Sequence, residues 1–115
     1  LTTANGVGRF GWGSDNFIGT SRQPNDWSES WAGFFVDQRL GYQLQLATAG
    51  GVAVTGAQRL LEQLRAWLEP HHPEPVLVHG DLWSGNAALL SAGGAALFDP
   101  AIYRGGRTST TCITC

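Results

Sequence analysis

The chain has 115 residues, which is room for one small domain or for part of a larger one. Its composition, 43% hydrophobic and 14% charged, is that of a globular protein, and its formal net charge of −2 gives no general attraction to nucleic acid or anionic membranes. No apolar run approaches the roughly 20 residues that cross a bilayer, and no basic-then-apolar leader is visible, so a cytoplasmic location is expected if the N-terminus is authentic.

Methionine and lysine are both absent from the sequence, and all seven basic side chains are arginines. A chain without Met does not start at an ordinary initiation codon, and Leu1 looks like an interior position. We therefore expect this chain to be a piece of a longer protein.

The first patterned segment is residues 10–19, Phe-Gly-Trp-Gly-Ser-Asp-Asn-Phe-Ile-Gly. Aromatic and β-branched residues flank a Gly-Ser-Asp-Asn cluster, which predicts a β-hairpin with its tip near residues 13–16. Trp12 and Phe17 fit a place in the core as well as a place facing a substrate. The Gln-Pro-Asn sequence at residues 23–25 then predicts a break in secondary structure.

A helix is predicted at about residues 28–48, because Asp26 or Ser28 can cap its start and the Gly-Gly pair at residues 50–51 can end it. Its apolar residues recur mainly at intervals of three, four and seven positions, and three aromatic residues near its start indicate a heavy core. The charged residues at positions 37 and 39 fall off this apolar stripe. The stripe consists of Trp31, Phe34, Phe35, Leu40, Leu44 and Ala47.

A second helix is predicted at about residues 55–68, with Thr55 as its cap and with its leucines and Trp67 on one face. The proline-rich sequence at residues 70–75 ends this helix and forms a stiff connector. The adjacent histidines at positions 71–72 have no Cys or carboxylate at ligand spacing, which favours a solvated pair over a metal site.

The most specific stretch is residues 79–86, His-Gly-Asp-Leu-Trp-Ser-Gly-Asn, which follows an apolar run at residues 75–78 that predicts a buried strand. Two further apolar segments around a Ser-Ala-Gly-Gly turn predict a hairpin that brings Asp99 back towards Asn86. Together with Asp81, these residues form a cluster of hard oxygen donors. Such a cluster suits Mg²⁺ and a phosphoryl group better than zinc.

Residues 108–115, Thr-Ser-Thr-Thr-Cys-Ile-Thr-Cys, lack periodicity and charge, so we expect an atypical, disordered tail. Cys112 and Cys115 have a lone C-x-x-C spacing, without a second pair or a nearby His to complete a zinc site. A redox role would require this spacing to open a helix after a strand, which the Thr-rich flanks do not favour.

Several of these segments together resemble the fructosamine (ketosamine) kinase family. The resemblance runs from about residue 10 to residue 107, and its most specific parts are the stretch at 79–86 and the Phe-Asp-Pro-Ala-Ile-Tyr sequence at 98–103. The Phe-Gly-Trp and Asp-Asn sequences within residues 10–16 make the resemblance more specific to this family among small-molecule kinases. Proteins of this family resemble aminoglycoside and choline kinases and share the protein-kinase-like fold of two lobes.

The resemblance implies an α+β fold for residues 1–107. This unit would be part of the C-terminal lobe, which is the large and mostly helical one, with an N-terminal β-hairpin segment. Its helices would pack on the β-hairpin of the catalytic loop.

The resemblance also implies a role for each residue of the site. Asp81 would be the catalytic carboxylate that orients the substrate hydroxyl and accepts its proton. Asn86 and Asp99 would hold Mg²⁺ and, with it, the phosphates of ATP. Trp83, Asp15 and Trp12 would bind the substrate. His79 and Gly80 would have a structural role and hold the catalytic loop in place.

The activity implied is ATP-dependent phosphorylation of a sugar hydroxyl on a small-molecule or protein-bound ketosamine, such as a fructosamine. A working kinase also needs a Gly-rich loop and a Lys for the phosphates, and this sequence has no Lys, so we expect the nucleotide-binding lobe to be absent and the chain alone to be inactive. The alternatives are a non-catalytic remnant of a kinase lobe, or a small metal- or sugar-binding module. No nucleic-acid or membrane partner is expected, and the oligomeric state stays open.

Overall fold

The structure, a computed structural model, describes residues 8–107. Within this range the α-helices lie between residues 31 and 68, and the short strands before and after them form antiparallel pairs. This arrangement agrees with the predicted α+β class. The predicted tail at residues 108–115 and its two cysteines lie outside the described residues. Between residues 8 and 107, no helix has the length and apolar character that crossing a membrane requires.

The first hairpin joins β1 (Asn16–Ile18) to β2 (Ser21–Gln23) through a two-residue loop at positions 19–20. The predicted tip near residues 13–16 is therefore wrong, because the turn falls several residues later, where Gly19 has a φ of +59°. Phe17 is 60% exposed, so of its two alternatives the place in the core is wrong and the place facing a substrate stays a prediction.

The residues expected to form the first strand pair with other parts of the chain. The backbones of Phe10 and Ser28 exchange two hydrogen bonds of 2.8 Å, and Gly11 exchanges two with Arg104, of 3.0 and 2.8 Å. Trp12 follows these bridges and is partly buried against the core. These long-range pairings explain why a purely local hairpin does not form at this point.

A continuous helical region follows. Its cap is Ser30, whose hydroxyl oxygen accepts a hydrogen bond from a helix N–H at 2.9 Å, so the predicted caps Asp26 and Ser28 are wrong. Gly50 ends the helix, close to the predicted boundary. The region consists of α1 (Trp31–Phe34), a π-helical segment (Phe35–Gly41) and α2 (Tyr42–Ala49).

The π-helical segment changes which side chains face inward. Arg39, which falls off the apolar stripe in the sequence, lies with its guanidinium 4.7 Å from the ring centre of Phe34 and 4.1 Å from that of Tyr103. A π-helix repeats its hydrogen bonds every five residues instead of every four, so side chains beyond Phe35 leave the directions that α-helical periodicity predicts.

The second helix, α3 (Ala57–Leu68), begins after Gly56, which occupies the N-cap position with a φ of +76°. Thr55 is therefore not the cap. The helix packs against α1 and the π-helical segment, but Leu60 remains 47% exposed and Trp67 71% exposed. The histidines at positions 71–72, just beyond this helix, are also exposed.

The core forms where α1 meets a strand pair. β3 (Pro75–Val78) runs antiparallel to β6 (Tyr103–Gly106), a strand that the sequence did not predict. Within β3 only Val78 is buried, so the prediction of a buried strand holds at its end alone. The core residues are Phe10, Trp31, Phe34, Val78 and Tyr103.

The second hairpin, β4 (Ala87–Leu89) with β5 (Ala95–Leu97), forms as predicted. It is largely exposed, since Leu89 is 89% and Leu97 59% accessible. The prediction that the helices pack on this hairpin is wrong. The aromatic side chains of α1 pack instead on the β3–β6 pair, where the rings of Phe34 and Tyr103 stack at a centroid distance of 5.4 Å.

Candidate active site

The loop of residues 79–86 begins where β3 ends and turns at Gly80, which has a φ of +83°. A Cβ at this position would collide with the carbonyl oxygen of Ala101, so glycine is required. The Ala101 N–H in turn donates a hydrogen bond of 2.8 Å to the His79 carbonyl oxygen. The loop is therefore held directly against the segment that follows Asp99.

The imidazole of His79 makes a second connection between these two segments. Its Nε2 lies 2.8 Å from the carbonyl oxygen of Phe98, and its Nδ1 lies 3.3 Å from the backbone nitrogen of Asp81. Because a backbone N–H can only donate, Nδ1 accepts this bond and Nε2 carries the proton that is donated to Phe98. Both ring nitrogens of His79 are thus engaged, one with each of the two segments.

Asp81 and Asn86 are in direct contact across the loop. The Asn86 side-chain nitrogen donates to the Asp81 carbonyl oxygen at 2.9 Å and lies 3.3 Å from Asp81 Oδ2. Asn86 is only 7% exposed, so its amide is fixed in this orientation. With the nitrogen committed to Asp81, the amide oxygen is the atom that Asn86 has left for a ligand.

The second hairpin brings the backbone just before Asp99 back to Asn86. The Phe98 N–H donates to the Asn86 carbonyl oxygen at 3.1 Å, one step beyond the paired residues of β4 and β5. Asp99 has a φ of +51°, the one positive value at a non-glycine residue between residues 8 and 107. Such a conformation costs about 1–3 kcal/mol and persists where the surrounding structure enforces it.

The donor set fits a hard divalent cation. Magnesium is commonly held by one or two carboxylates, with the remaining positions taken by waters and substrate phosphates, and Asp81, Asn86 and Asp99 offer only oxygens for this purpose. Within the described range, no group of three or more His, Cys, Asp or Glu side chains is placed to hold a metal. A magnesium site in this region would therefore depend on the amide oxygen of Asn86.

Trp83 lies in the same loop with its indole against the backbone of Gly85, and its side chain is 53% exposed. An aromatic surface two residues from Asp81 is thus accessible to a ligand. Its contact with a substrate stays a prediction.

Asp15 has both carboxylate oxygens bonded within the chain. Oδ1 accepts from the Asn25 backbone N–H at 2.8 Å, and Oδ2 accepts from Arg22 Nε at 2.9 Å. The Asn25 N–H, followed by the Arg22 guanidinium, holds the pKa of Asp15 below its ordinary value against the opposing effect of burial. Trp12 packs against the core. The substrate contacts of Asp15 and Trp12 stay predictions.

A buried polar network, which is bonded to the backbone at residues 101–102, was not predicted from the sequence. Gln23 is 4% and Asn25 1% exposed, and the Arg39 guanidinium donates to the Asn25 side-chain oxygen and to the Pro24 carbonyl oxygen, both at 2.6 Å. Burial lowers the pKa of Arg39, yet an arginine keeps its charge at neutral pH. The only signal in the sequence was a high density of Asn, Asp and Gln at positions 15–25, which is also typical of a solvated loop.

A groove of about 850 Å³ lies on another face, between the π-helical segment, α2 and the start of α3. Its walls include Arg22, Tyr42 and Leu61, and no residue from 79 to 99 lines it. The groove is therefore separate from the cluster of Asp81, Asn86 and Asp99.

A family model described as fructosamine kinase matches residues 1–114. A probable ketoamine kinase of Synechocystis is 46% identical over 105 residues, covering 91% of this chain and 36% of that protein. The probable ketoamine kinase YniA of Escherichia coli is 46% identical over 99 residues, covering 86% of this chain and 34% of that protein.

Two solved structures resemble the fold. A Haemophilus somnus protein, provisionally assigned as a fructosamine-3-kinase, matches with a TM-score of 0.82 and 33% identity over 89% of this chain and 34% of its own. A Thermobifida fusca protein with the same provisional assignment matches with a TM-score of 0.80 and 30% identity over 96% of this chain and 39% of its own. The chain thus spans 34–39% of the length of these relatives. It belongs to the fructosamine kinase family.

Proposed function

We propose that this chain carries the catalytic loop and the metal-binding residues of a kinase that phosphorylates a sugar hydroxyl of a fructosamine or a related ketosamine, free or protein-bound. The observation that carries the proposal is the hydrogen-bonded contact between Asp81 and Asn86, supported by the backbone bond from Phe98, the residue before Asp99, to Asn86. Phosphoryl transfer needs a carboxylate for the acceptor hydroxyl and oxygen ligands for a metal, and these three residues supply both.

In the proposed mechanism, Asp81 accepts a hydrogen bond from the acceptor hydroxyl, orients its oxygen and takes up its proton. The Asn86 amide, which approaches Asp81 Oδ2, restricts the rotation of that carboxylate. The Asn86 amide oxygen and the Asp99 carboxylate would hold Mg²⁺. Mg²⁺–ATP, when bound, supplies the phosphoryl group and neutralises charge on its oxygens. Trp83 offers an aromatic wall for the sugar and excludes water from one side.

For the chain alone, a second candidate function has one observation in its favour. The sequence contains no Lys, so residues 1–115 cannot supply the lysine that kinases pair with the phosphates of ATP. A polypeptide of this composition would keep the metal and acceptor side of the site without turnover. We therefore expect the isolated chain to bind a divalent metal and to show no ATP-dependent phosphorylation of a fructosamine.

The test of the proposed function is a chimera in which residues 10–107 replace the matching segment of the Escherichia coli relative, which is 46% identical. We expect the chimera to phosphorylate a fructosyl-amine, and Asp81→Asn to lower its kcat by about 100-fold or more with little change in the KM for ATP. The reason is that the amide can no longer accept the proton of the sugar hydroxyl. Turnover is measured by coupled ADP release.

The matched control is Asp26→Asn, which makes the same chemical change at an exposed carboxylate outside the loop. This variant is expected to keep the kcat of the chimera. An Asp81→Asn chimera as active as the Asp26→Asn chimera would remove Asp81 from its proposed role. Turnover by the isolated chain would instead contradict the expected inactivity.

A further inference from the structure

The peptide segment after Asp99 is held by side chains from the opposite end of the chain. Gln23 Nε2 donates to the Ala101 carbonyl oxygen at 3.1 Å, across a separation of 78 residues. Asn16 Nδ2 donates to the Ile102 carbonyl oxygen at 2.8 Å, across 86 residues. Both side chains belong to the first hairpin, so this hairpin is bonded directly to the segment that carries Asp99.

The orientation of these two side chains is determined by the rest of the polar network. Asn16 Oδ1 accepts from Gln23 Nε2 at 2.8 Å and from Asn25 Nδ2 at 3.2 Å. With its oxygen engaged by two donors, Asn16 has its nitrogen directed at Ile102. Asn25, which is 1% exposed, is itself fixed by the guanidinium of Arg39.

The segment before Asp99 is anchored as firmly. Phe98 donates its N–H to the Asn86 carbonyl oxygen, and its own carbonyl oxygen accepts from His79. Asp99 lies between these two anchors in the left-handed conformation, where an aspartate is strained. The strain persists only if both sides are held, and on the later side Gln23 and Asn16 add to the bond between the Ala101 N–H and the His79 carbonyl oxygen.

We infer that Gln23 and Asn16 are positioning residues that keep Asp99 in the geometry for holding a divalent metal. This inference rests on the metal role of Asp99 in the proposed function. Neither side chain reaches the metal ligands themselves; each acts through a backbone carbonyl, of Ala101 or of Ile102. Loss of either bond loosens this later side, which then keeps only the Ala101 N–H bond to His79 and the β3–β6 pairing, and lets the Asp99 carboxylate shift relative to Asn86.

The test is a titration of the full 115-residue chain with Mn²⁺, followed by paramagnetic broadening of the backbone amide resonances of residues 80–99. Gln23→Met keeps the shape of the side chain and removes its donor. We expect Mn²⁺ to bind this variant about 10-fold more weakly, at the lower end of the range for residues that orient metal ligands. Asn16→Leu, at a half-buried position, removes the second bond and should weaken binding in the same direction.

Two controls separate positioning from a general loss of stability. Gln63→Met makes the same change at an exposed position of α3, and Val36→Ala destabilises the core at a residue that is 3% exposed. Both should keep the affinity for Mn²⁺ at a temperature where all variants are folded by circular dichroism. Unchanged affinity in Gln23→Met and Asn16→Leu, or equal weakening in Val36→Ala, overturns the inference alone. No site-specific broadening in the unmodified chain overturns the proposed metal site together with the inference.

Discussion

One hairpin precedes the 79–86 loop in the sequence and one follows it, and the two are stabilised in opposite ways. The first, β1–β2, is connected to the rest of the chain by the buried side chains of Gln23 and Asn25. The second, β4–β5, has mainly exposed side chains and is held by backbone pairing and by the bond from Phe98 to Asn86. Yet Asn86 and Asp99, the proposed metal ligands, flank the second hairpin.

The exposed second hairpin and the buried polar network have different roles in the proposed site. In the proposed site the exposed hairpin would present Asp99 at a surface that a ligand can reach, while the buried network would supply the rigidity that a metal site requires. The second hairpin can be exposed because hydrogen bonds from other parts of the chain hold the backbone before and after Asp99. Substitutions at the junction and in the network should therefore cost far more stability than substitutions in the exposed hairpin.

The largest loss of stability is expected for Gly80→Ala, at the junction between β3 and the loop. The substitution forces a left-handed alanine and places its methyl group against the carbonyl oxygen of Ala101. We expect the free energy of unfolding to fall by about 3 kcal/mol or more, since backbone strain and a steric clash add. Urea denaturation followed by tryptophan fluorescence measures the change.

Gly93→Ala is the matched control, because Gly93 also has a positive φ, of +93°, but a Cβ there would meet no atom within 4 Å. Its cost should be about 1 kcal/mol, which is the backbone contribution alone. Equal losses in the two variants would show that the contact between Gly80 and Ala101 contributes nothing.

The next largest effect is expected for Arg39→Met in the buried network. The change removes the donor of three hydrogen bonds, to the carbonyl oxygens of Pro24 and Gln38 and to the side chain of Asn25. We expect a loss of about 2–3 kcal/mol, because buried acceptors are left without a partner. Differential scanning calorimetry on the wild type and the variant gives the comparison.

Arg65→Met is the control for this change of residue type. Arg65 pairs with Asp37 at 2.7 Å, but the two side chains are 43% and 60% exposed, so the ion pair should contribute less than about 1 kcal/mol. If Arg65→Met lowers the free energy of unfolding as much as Arg39→Met does, burial of Arg39 in the network does not make its hydrogen bonds more stabilising than the exposed ion pair of Arg65.

The sequence predicted the second hairpin better than the first hairpin and its network. Strand, loop and hairpin from residue 75 to residue 98 follow local rules, since apolar runs alternate with Gly-rich turns and adjacent strands pair. The contact between Asp81 and Asn86 arises within that local unit. Pairings between residues far apart in the sequence do not follow such local rules. No sequence pattern near Phe10 or Gly11 predicts that they pair with Ser28 and Arg104.

The π-helical segment is the clearest example of what a periodic pattern cannot reveal. An α-helical repeat assigns Arg39 to the outside of the helix, whereas five-residue hydrogen bonding brings it between Phe34 and Tyr103. Tyr103 belongs to β6, a strand that was not predicted, so its ring could not be anticipated as a partner for the guanidinium.

The smallest effect is expected for Leu89→Thr, in the exposed hairpin. Leu89 is 89% exposed, and threonine keeps a high propensity for strands, so the free energy of unfolding should change by less than about 0.5 kcal/mol. Val78→Ala, at a site that is 2% exposed, should cost about 1.5 kcal/mol for two buried carbon atoms. Both are measured by urea denaturation. A Leu89→Thr variant as unstable as Val78→Ala would mean that the second hairpin is packed in solution. The positions of the proposed metal ligands, Asn86 and Asp99, would then depend on apolar contacts and not on the polar network.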